Sequence, residues 1–344
     1  MRTVGVVVCG LGGVGRALLG LLAEKKQDIR DSREIDFVLT AAVDIGGAAM
    51  SNNREGLPPG ALKAHLERKS PVEEFADCGR PGLSGQEAIR QAEAQVLVET
   101  TPTNLEDGEP GTTHIRTALE QKMEVVSANK GPLVLYFREL HELARANGCG
   151  IHISAATAAA LPTIDVGRVC LAGTRILSVE GILNGTTNYV LTRMRTEGCT
   201  YEVALKGAQE LGIAETNPSF DVEGKDTANK MILISNRIFG TDYGPDDIAV
   251  KGITEVTPGD IAAAAADGKV IKLIGSAVRE GDRIALRVAP VALAGDHPLA
   301  LVNGSEKAIS YMTDTMDRVT VSGGKSSPVG AAAAVLKDMI NAFS

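Results

Sequence analysis

The sequence predicts an α/β protein with two domains, a doubly wound parallel sheet followed by an α+β domain. Short apolar strand segments alternate with amphipathic helical segments over residues 1–150, a pattern typical of parallel sheets covered by helices on both faces. Near residue 155 the pattern changes to small residues, and longer strand segments follow. At 344 residues the chain can bury two cores. We therefore expect domains at 1–150 and 151–322, with a last helix within 323–344.

The composition excludes several classes of protein. The chain is 44% hydrophobic and 23% charged, with a formal net charge of −8 and no tryptophan, so we expect no nucleic-acid partner. It has no apolar run of the roughly 18 residues that span a bilayer and no signal-like N-terminus, so we expect no membrane partner. Five scattered cysteines without a Cys-x-x-Cys pair argue against disulfides and zinc and predict a cytoplasmic location.

The first strand leads into a glycine-rich turn. Residues 3–9 are almost wholly apolar, and residues 16–22 form an amphipathic helix. Between them lies a Gly-x-Gly-x-x-Gly pattern, made of Gly10, Gly12, Gly13, Val14 and Gly15. Such a loop lets the backbone approach a pyrophosphate at the helix N-terminus. The alternative is a glycine turn with a purely structural role. The pattern predicts a Rossmann-type domain that binds NAD or NADP.

The choice between the two dinucleotides stays open in the sequence. A second strand at 37–43 ends at Asp44, the kind of residue that binds the adenosine ribose of NAD. Asp44 lies 29 positions after Gly15, beyond the customary distance of about 20. A strand-ending turn explains this aspartate equally well. Arg54, in the following loop, is a candidate for the extra phosphate of NADP.

Two further strands end in polar segments. Residues 95–99 precede Thr100 and Thr101, and residues 124–127 precede Asn129 and Lys130. Ligands of parallel sheets bind at the carboxyl ends of the strands, so these residues are expected near the reacting part of the cofactor. A helix at 133–147 and a strand at 150–154 complete the first domain.

An aspartate and a lysine stand four residues apart in the second domain. Asp226 and Lys230 follow Gly224 at the start of an apolar helical run, so both side chains should share one helix face within the first turn. There the helix dipole would lower the pKa of the lysine and suit it to acid–base catalysis. The alternative is that Asp226 is an N-cap and Lys230 a solvated surface residue.

Two more carboxylates precede this pair. Glu215 and Asp221 lie within sixteen residues of Lys230. Three carboxylates beside one lysine suit a substrate that carries its own ammonium group, although a surface loop would have the same charge pattern. We place the other elements of this domain as strands at 176–183, 270–278 and 284–292, and helices at 163–171, 189–197, 201–211 and 262–266. Residues 319–324 lead into a last helix at 329–342.

This segment resembles the signature of homoserine dehydrogenases. The matching residues are Ala208-x-x-x-Gly212-Ile213-Ala214-x-x-Asn217-Pro218-x-x-Asp221-Val222-x-Gly224-x-Asp226-x-x-x-Lys230. Asn184-Gly185-Thr186-Thr187-Asn188 and Ala128-Asn129-Lys130 are similar to two further motifs of the family. The likeness covers nearly the whole chain. It implies interconversion of L-homoserine and L-aspartate 4-semialdehyde with NAD or NADP, in the pathway to threonine, methionine and isoleucine.

The resemblance also implies roles for individual residues. Lys230 corresponds to the catalytic acid/base lysine, Asp226 to the residue that orients it, and Lys130 to a lysine between nicotinamide and substrate. The other implied site residues are Glu215, Asp221, Thr186 and Asn184 for the substrate, and Thr100, Thr101, Gly212 and Gly323 for the cofactor. In the family, the last helix returns to the dinucleotide domain, and two subunits form a homodimer through the second domain. The resemblance predicts a short form without a C-terminal regulatory domain.

One motif departs from the family. Many members bind sodium in a loop that begins Glu-Ala and continues through glycines, but here Ser154 replaces the glutamate and alanines replace the glycines. A sodium site then depends on the backbone carbonyls of Thr157, Ala159 and Leu161, and it stays open.

Two other functions compete with the leading one. A sister dehydrogenase would act on another small amino acid or semialdehyde with the same residues. A non-catalytic NAD(P)-binding sensor would not need Lys130 and Lys230, and the presence of both lysines argues against it.

Overall fold

Two units make up the chain in the computed structural model, which describes residues 1–324 and 326–344. Unit 1 comprises Met1–Ala159 and Ser327–Ser344, and unit 2 comprises Ala160–Ser326. Within the described residues, no helix is both long enough and apolar enough to cross a membrane.

Unit 1 is a sheet with helices between its strands. Its elements up to residue 158 are β1 (Arg2–Cys9), α1 (Gly13–Glu24), α2 (Lys26–Arg33), β2 (Ile35–Asp44), β3 (Gly47–Met50), α3 (Pro59–Glu67), β4 (Gly79–Pro81), α4 (Gly85–Gln91), β5 (Val96–Glu99), α5 (Gly111–Glu120), β6 (Glu124–Ser127), α6 (Lys130–Leu135), α7 (Phe137–Asn147), β7 (Ile151–His152) and α8 (Ser154–Ala158). The strand order is β4-β3-β2-β1-β5-β6-β7. The neighbouring strands β2, β1, β5, β6 and β7 are parallel to one another, while β3 and β4 add an antiparallel edge.

The centre of this sheet follows from its side chains. In β1, Val4, Val6, Val7 and Val8 are fully buried, so both faces of the strand are covered. Stiff β-branched residues pack well on such a surface. The predicted doubly wound sheet is therefore correct, and its parallel strands direct their carboxyl ends to one edge.

Unit 2 is α+β, as the sequence predicts. Its elements are α9 (Thr163–Asp165), which continues into a π-helical turn (Val166–Cys170), then β8 (Ile176–Ile182), α10 (Gly185–Glu197), α11 (Tyr201–Glu210), α12 (Ser219–Val222), α13 (Lys225–Phe239), β9 (Ile248–Val250), α14 (Pro258–Ala266), β10 (Lys269–Glu280), β11 (Arg283–Ala294), β12 (Lys307–Thr313) and β13 (Arg318–Gly323). The strand order is β13-β12-β8-β10-β11-β9. Among the strand pairs that the described residues form in this second sheet, only β11–β9 is parallel.

The last helix, α15 (Pro328–Phe343), belongs to unit 1. Val335, Leu336 and Met339 enter the core that also holds β1 and α1. The buried Asp338 carboxylate accepts hydrogen bonds from the backbone N–H of Ser154 (2.9 Å) and from its hydroxyl (2.8 Å). The chain thus leaves unit 1 and comes back to complete its core.

Three local expectations were wrong. The polar composition of residues 24–36 predicts a lengthened helix end and a loop, but Lys26–Arg33 form a second helix, α2, whose one buried apolar residue is Ile29. The helix expected at 133–147 starts at Lys130, capped by Asn129, and is interrupted at Tyr136, whose φ of −131° is not helical. The small side chains of residues 155–162 predict a flexible segment, but Ser154–Ala158 form α8, because alanine favours helix over other conformations.

Candidate active site

The glycine loop has the geometry that a pyrophosphate requires. Gly10 has φ +92°, and a Cβ there would lie 2.5 Å from the backbone of Thr100. A Cβ on Gly15 would lie 2.1 Å from the carbonyl oxygen of Gly10. At Gly12 a Cβ would meet nothing within 4 Å, so this side of the loop is open. No side chain caps α1 at Gly12, so the first N–H groups of the helix are available to a ligand.

The ends of β5 and β6 lie beside this loop. The Thr100 hydroxyl donates to the carbonyl oxygen of Gly10 at 2.7 Å. The Asn129 side chain caps α6 and donates to the Thr101 hydroxyl at 3.0 Å. Lys130 is the first residue of α6 and is half-buried. The predicted residues of the first unit are thus gathered at the carboxyl edge of the parallel sheet.

Asp44 and Arg54 lie at opposite edges of the sheet. Asp44 ends β2, and its carboxylate accepts the N–H of Ile45 at 3.0 Å. It lines a cavity of about 360 Å³ together with Arg16 and Lys69. Arg54 lines cavities that contain Thr3, at the amino end of β1. The proposal that Arg54 binds the phosphate of NADP is therefore wrong, because the glycine loop is at the other edge.

In unit 2, Lys230 and Asp226 form a direct ion pair. The Lys230 ammonium lies 2.5 Å from Asp226 Oδ2 and donates to the carbonyl oxygen of Leu183 at 2.9 Å. An ammonium has three N–H donors, so these two bonds leave one for a ligand. The side chains are 15% and 9% exposed, which makes the solvated-surface alternative wrong.

The position of the pair along α13 differs from the expectation. The helix begins at Lys225 with Gly224 as N-cap, so the alternative that Asp226 is the cap is also wrong. Asp226 lies in the first turn, but Lys230 lies in the second, where the field of the helix end has fallen off. The ion pair and the Leu183 carbonyl, not the helix terminus, hold the lysine.

Asn184 joins the carboxylates of Asp221 and Asp226. As the N-cap of α10 it accepts the N–H of Thr187 at 3.0 Å. Its amide nitrogen donates to Asp221 Oδ1 at 2.7 Å and to Asp226 Oδ2 at 2.9 Å. The Thr186 hydroxyl donates to Asp221 Oδ2 at 3.0 Å. Residues that are distant in sequence therefore form one network with Lys230.

The remaining predicted residues of this unit lie outside that network. Glu215 is exposed in the loop after α11, and no hydrogen bond or ion pair of its carboxylate is found among the described residues. Gly212 starts this loop with φ +68°, a conformation that favours glycine. Gly323 ends β13 with φ +118°. Their assignments stay predictions.

Sequence reasoning missed a second lysine beside Lys230. Lys307, the first residue of β12, is only 2% exposed. Burial and the Lys230 ammonium lower the pKa of Lys307 to about 8, while Asp226 acts in the opposite direction. No local pattern marks this residue, because strand pairing of β12 with β8 brings it to the site. Lys307 is thus a second buried lysine beside the Lys230–Asp226 pair.

The loop compared with a sodium site offers poor ligands. Ser154 Oγ accepts the Lys337 ammonium at 2.8 Å and donates to Asp338. The carbonyl of Leu161 accepts the N–H of Thr163 at 2.8 Å. Thr157 lies inside α8, and Ala159 follows it with φ +53°. The Lys337 ammonium is paired with the Asp338 carboxylate at 3.0 Å, and both contact Ser154. A sodium site in this loop stays a prediction, and no catalytic step is assigned to it.

A dinucleotide loop on a parallel sheet, together with a buried carboxylate–lysine pair, defines the class of nicotinamide-dependent dehydrogenases. Comparison with known families makes this specific. Residues 162–340 match the family model for homoserine dehydrogenase, and residues 10–154 match the one for the homoserine dehydrogenase NAD-binding domain. This chain belongs to the homoserine dehydrogenase family.

Individual relatives agree with this over almost the whole chain. A homoserine dehydrogenase from Methanocaldococcus jannaschii is 39% identical over 98% of this chain and 98% of its own. An NAD(+)-dependent homoserine dehydrogenase from Pseudomonas canavaninivorans is 35% identical over 98% of this chain and 95% of its own. A crystal structure of a putative homoserine dehydrogenase from Archaeoglobus fulgidus has a TM-score of 0.87 at 34% identity, and covers 99% of both chains. A hyperthermophilic archaeal homoserine dehydrogenase mutant in complex with NADPH has a TM-score of 0.84 at 28% identity. The match covers 99% of this chain and 98% of the archaeal one.

Proposed function

We propose that this protein interconverts L-homoserine and L-aspartate 4-semialdehyde with Lys230 as the acid/base, in the pathway to threonine, methionine and isoleucine. The observation that carries the assignment is the ion pair of Lys230 with Asp226, 2.5 Å long and almost buried. It supplies a charged N–H donor in a site that excludes most water. The bound nicotinamide supplies the hydride in one direction and accepts it in the other.

Lys230 is proposed to donate the proton during reduction of the aldehyde and to remove it during oxidation of the alcohol. During reduction negative charge grows on the aldehyde oxygen, and the remaining N–H of the Lys230 ammonium stabilises that oxygen and then protonates it. During oxidation the neutral amine removes the hydroxyl proton. Asp226 and the carbonyl of Leu183 hold the nitrogen in place, so that little reorganisation accompanies the transfer.

Asp221 is the carboxylate best arranged for the substrate's ammonium group. Asn184 and Thr186 each donate to a different oxygen of Asp221, which fixes its orientation and leaves acceptor capacity on both oxygens. Glu215 is proposed as a second carboxylate for the same group. Its exposed loop would have to bring it to the substrate.

The cofactor-binding residues follow the glycine loop and the strand ends. Gly10, Gly12, Gly13, Val14 and Gly15 are proposed to hold the pyrophosphate. The residues proposed to lie nearer the nicotinamide are Thr100, Thr101, Lys130, Gly212 and Gly323. Asp44 is proposed to bind the adenosine ribose, which favours NAD, the cofactor in the name of the Pseudomonas relative. The archaeal complex with NADPH keeps NADP as the alternative.

Assembly and location are proposals of the same kind. A homodimer through unit 2 is supported by a row of half-exposed or exposed residues on adjacent strands of its sheet, which are Met312, Ser178, Val278 and Ala285. A cytoplasmic location is supported by five free cysteines. A sister dehydrogenase or a non-catalytic sensor is not favoured, since relatives named homoserine dehydrogenase match over 98% of the chain.

The test is homoserine-dependent reduction of NAD and of NADP by the wild type and by Lys230→Ala. We expect kcat to fall about 10²- to 10⁴-fold with dinucleotide binding unchanged, because a positioned acid/base contributes that much. Lys225→Ala is the matched control, since Lys225 lies on the same helix and is 61% exposed. Unchanged turnover in Lys230→Ala would refute the assignment of the acid/base. A wild type that ignores homoserine would refute the substrate.

A further inference from the structure

A buried glutamate–histidine hydrogen bond lies beneath the strand ends of unit 1. Glu99, the last residue of β5, is fully buried, and His114 on α5 is 5% exposed. His114 Nδ1 lies 2.8 Å from Glu99 Oε2 and donates to it. Desolvating a carboxylate in this way is expensive unless every oxygen is hydrogen-bonded. The other oxygen, Oε1, accepts both the N–H of Thr101 at 2.8 Å and the Thr101 hydroxyl.

These bonds fix more than one loop. The Thr101 hydroxyl donates to Glu99, so its oxygen is the acceptor for the Asn129 amide at 3.0 Å. The side-chain oxygen Oδ1 of Asn129 accepts the N–H of Gly131 at 3.0 Å and so caps α6, which begins with Lys130. One buried carboxylate therefore holds the loop after β5 and, through Thr101 and Asn129, the loop after β6.

The histidine is itself held from its other side. A Cβ on Gly85 would lie 2.1 Å from His114 Nε2, so the ring lies directly against the start of α4. Cys9 completes the cluster, and burial together with the Glu99 charge raises the pKa of its thiol. The histidine and glutamate bond to each other across 2.8 Å, and Thr101 occupies the second oxygen. These bonds favour a hydrogen-bonded network over a metal site.

We propose that Glu99 and His114 are positioning residues for dinucleotide binding and hydride transfer, which hold Thr101 and Lys130 where the cofactor needs them. This inference rests on the proposed function, since that function places the nicotinamide at these loops. Neither side chain is required to touch the cofactor. They act through Thr101 and Asn129.

The same sheet supplies a matched control pair. Glu124 and His152 are also a glutamate and a histidine, with Glu124 Oε2 2.9 Å from His152 Nε2. Glu124 is the first residue of β6, so this pair lies at the amino edge, away from the glycine loop. If such a glutamate–histidine pair only stabilises the sheet, both pairs should behave alike on substitution.

The experiment measures Kd for NADH by nicotinamide fluorescence, and kcat and KM with homoserine, in Glu99→Gln, His114→Leu, Glu124→Gln and His152→Leu. We expect the first two to raise Kd and lower kcat on the order of tenfold or more, because small displacements of positioning groups are costly. The KM for homoserine should change less than twofold, and the two control variants should match the wild type. His114→Asn, which keeps a donor near the Nδ1 position, should restore much of the loss.

A further variant keeps the test decisive if Glu99→Gln fails to fold. Thr101→Val removes the hydroxyl link at similar shape and leaves the hydrogen bond between Glu99 and His114 intact, and we expect the same loss of NADH affinity. The proposal is overturned if folded variants lose stability but keep Kd and kcat, or if the control pair shows equal losses. Because NADH binding needs no homoserine, a failure of the proposed substrate leaves this result readable on its own.

Discussion

At the scale of single residues, buried charge is tolerated only where hydrogen bonds replace water. Lys272 on β10 is 1% exposed, and its ammonium donates to Asn188 Oδ1 at 2.9 Å and to the carbonyl oxygen of Val302. Asn188 also donates to the carbonyl oxygens of Val302 (3.2 Å) and Glu306 (3.0 Å). Burial, with Arg195 adding to it, lowers the pKa of Lys272 to about 8. Lys272 thus connects α10 to the segment at Val302, and the loss of hydration of its ammonium opposes this contribution to stability.

Lys272→Met should therefore change how stability depends on pH. Below about pH 8 the lysine is charged in both the folded and the unfolded state, so the desolvation penalty is complete. Between about pH 8 and its ordinary pKa of 10.5, the unfolded chain keeps the proton that the folded chain has released, so the free energy of unfolding rises with pH. The variant lacks this rise. Its free energy of unfolding, relative to wild type, should fall by about 3 kcal/mol over that range.

Urea unfolding at a series of pH values measures this difference. The lost bonds to Asn188 and Val302 shift the variant by a constant amount, so the slope isolates the titration. Lys269→Met is the control, because Lys269 is on the same strand and 45% exposed. Parallel curves for Lys272→Met and wild type would mean that Lys272 does not titrate in this range.

At the scale of elements, the two edges of the parallel sheet decide which residues can meet the cofactor. Parallel strands place all their carboxyl ends at one edge, where the glycine loop also lies. Lys69 follows α3 and lines the cavity at Asp44, together with Arg16 and Ser70. Arg54 lies at the amino edge. The edge at which each cation lies, not its charge alone, decides whether it can contact the cofactor.

We expect Lys69→Ala to weaken NADP binding about two- to fivefold and NAD binding less, because the extra phosphate loses one exposed cation. Arg54→Ala should leave both dissociation constants unchanged. Fluorescence titration with NADPH and NADH at two salt concentrations measures both effects, and the loss in Lys69→Ala should shrink at high salt. A selective loss of NADPH affinity in Arg54→Ala would contradict this assignment of the edges.

Regular elements and local spacings were predictable from the sequence, but contacts across the fold were not. The strand–turn–helix at Gly10 and the four-residue spacing of Asp226 and Lys230 are local signals, and the structure has both. Lys307 reaches the site only through the pairing of β12 with β8, which no local pattern specifies. His114 on α5 contacts Glu99 on β5, fifteen residues earlier, through the packing of the helix on the sheet, which no local pattern specifies either. The break at Tyr136 was missed because the apolar spacing continues through it.

At the scale of the whole molecule, unit 1 is built from two separated segments. The chain leaves it after Ala159 and re-enters at Ser327. Met339 and Leu336 on α15 lie in the core with β1 and α1. The unit's stability thus depends on residues that are synthesised after all of unit 2.

Met339→Ala should therefore loosen unit 1, although the residue follows unit 2 in the sequence. Met339 is fully buried, so truncation removes apolar contacts and leaves a cavity, at about 2–5 kcal/mol. Hydrogen exchange followed peptide by peptide should show faster opening in β1, β2 and α1, while β10 and β11 stay protected. Ile274→Ala, in the separate core of unit 2, is the reciprocal control and should loosen β10 and β11 instead. If Met339→Ala accelerated exchange only in unit 2, α15 would belong to that unit energetically, whatever its contacts.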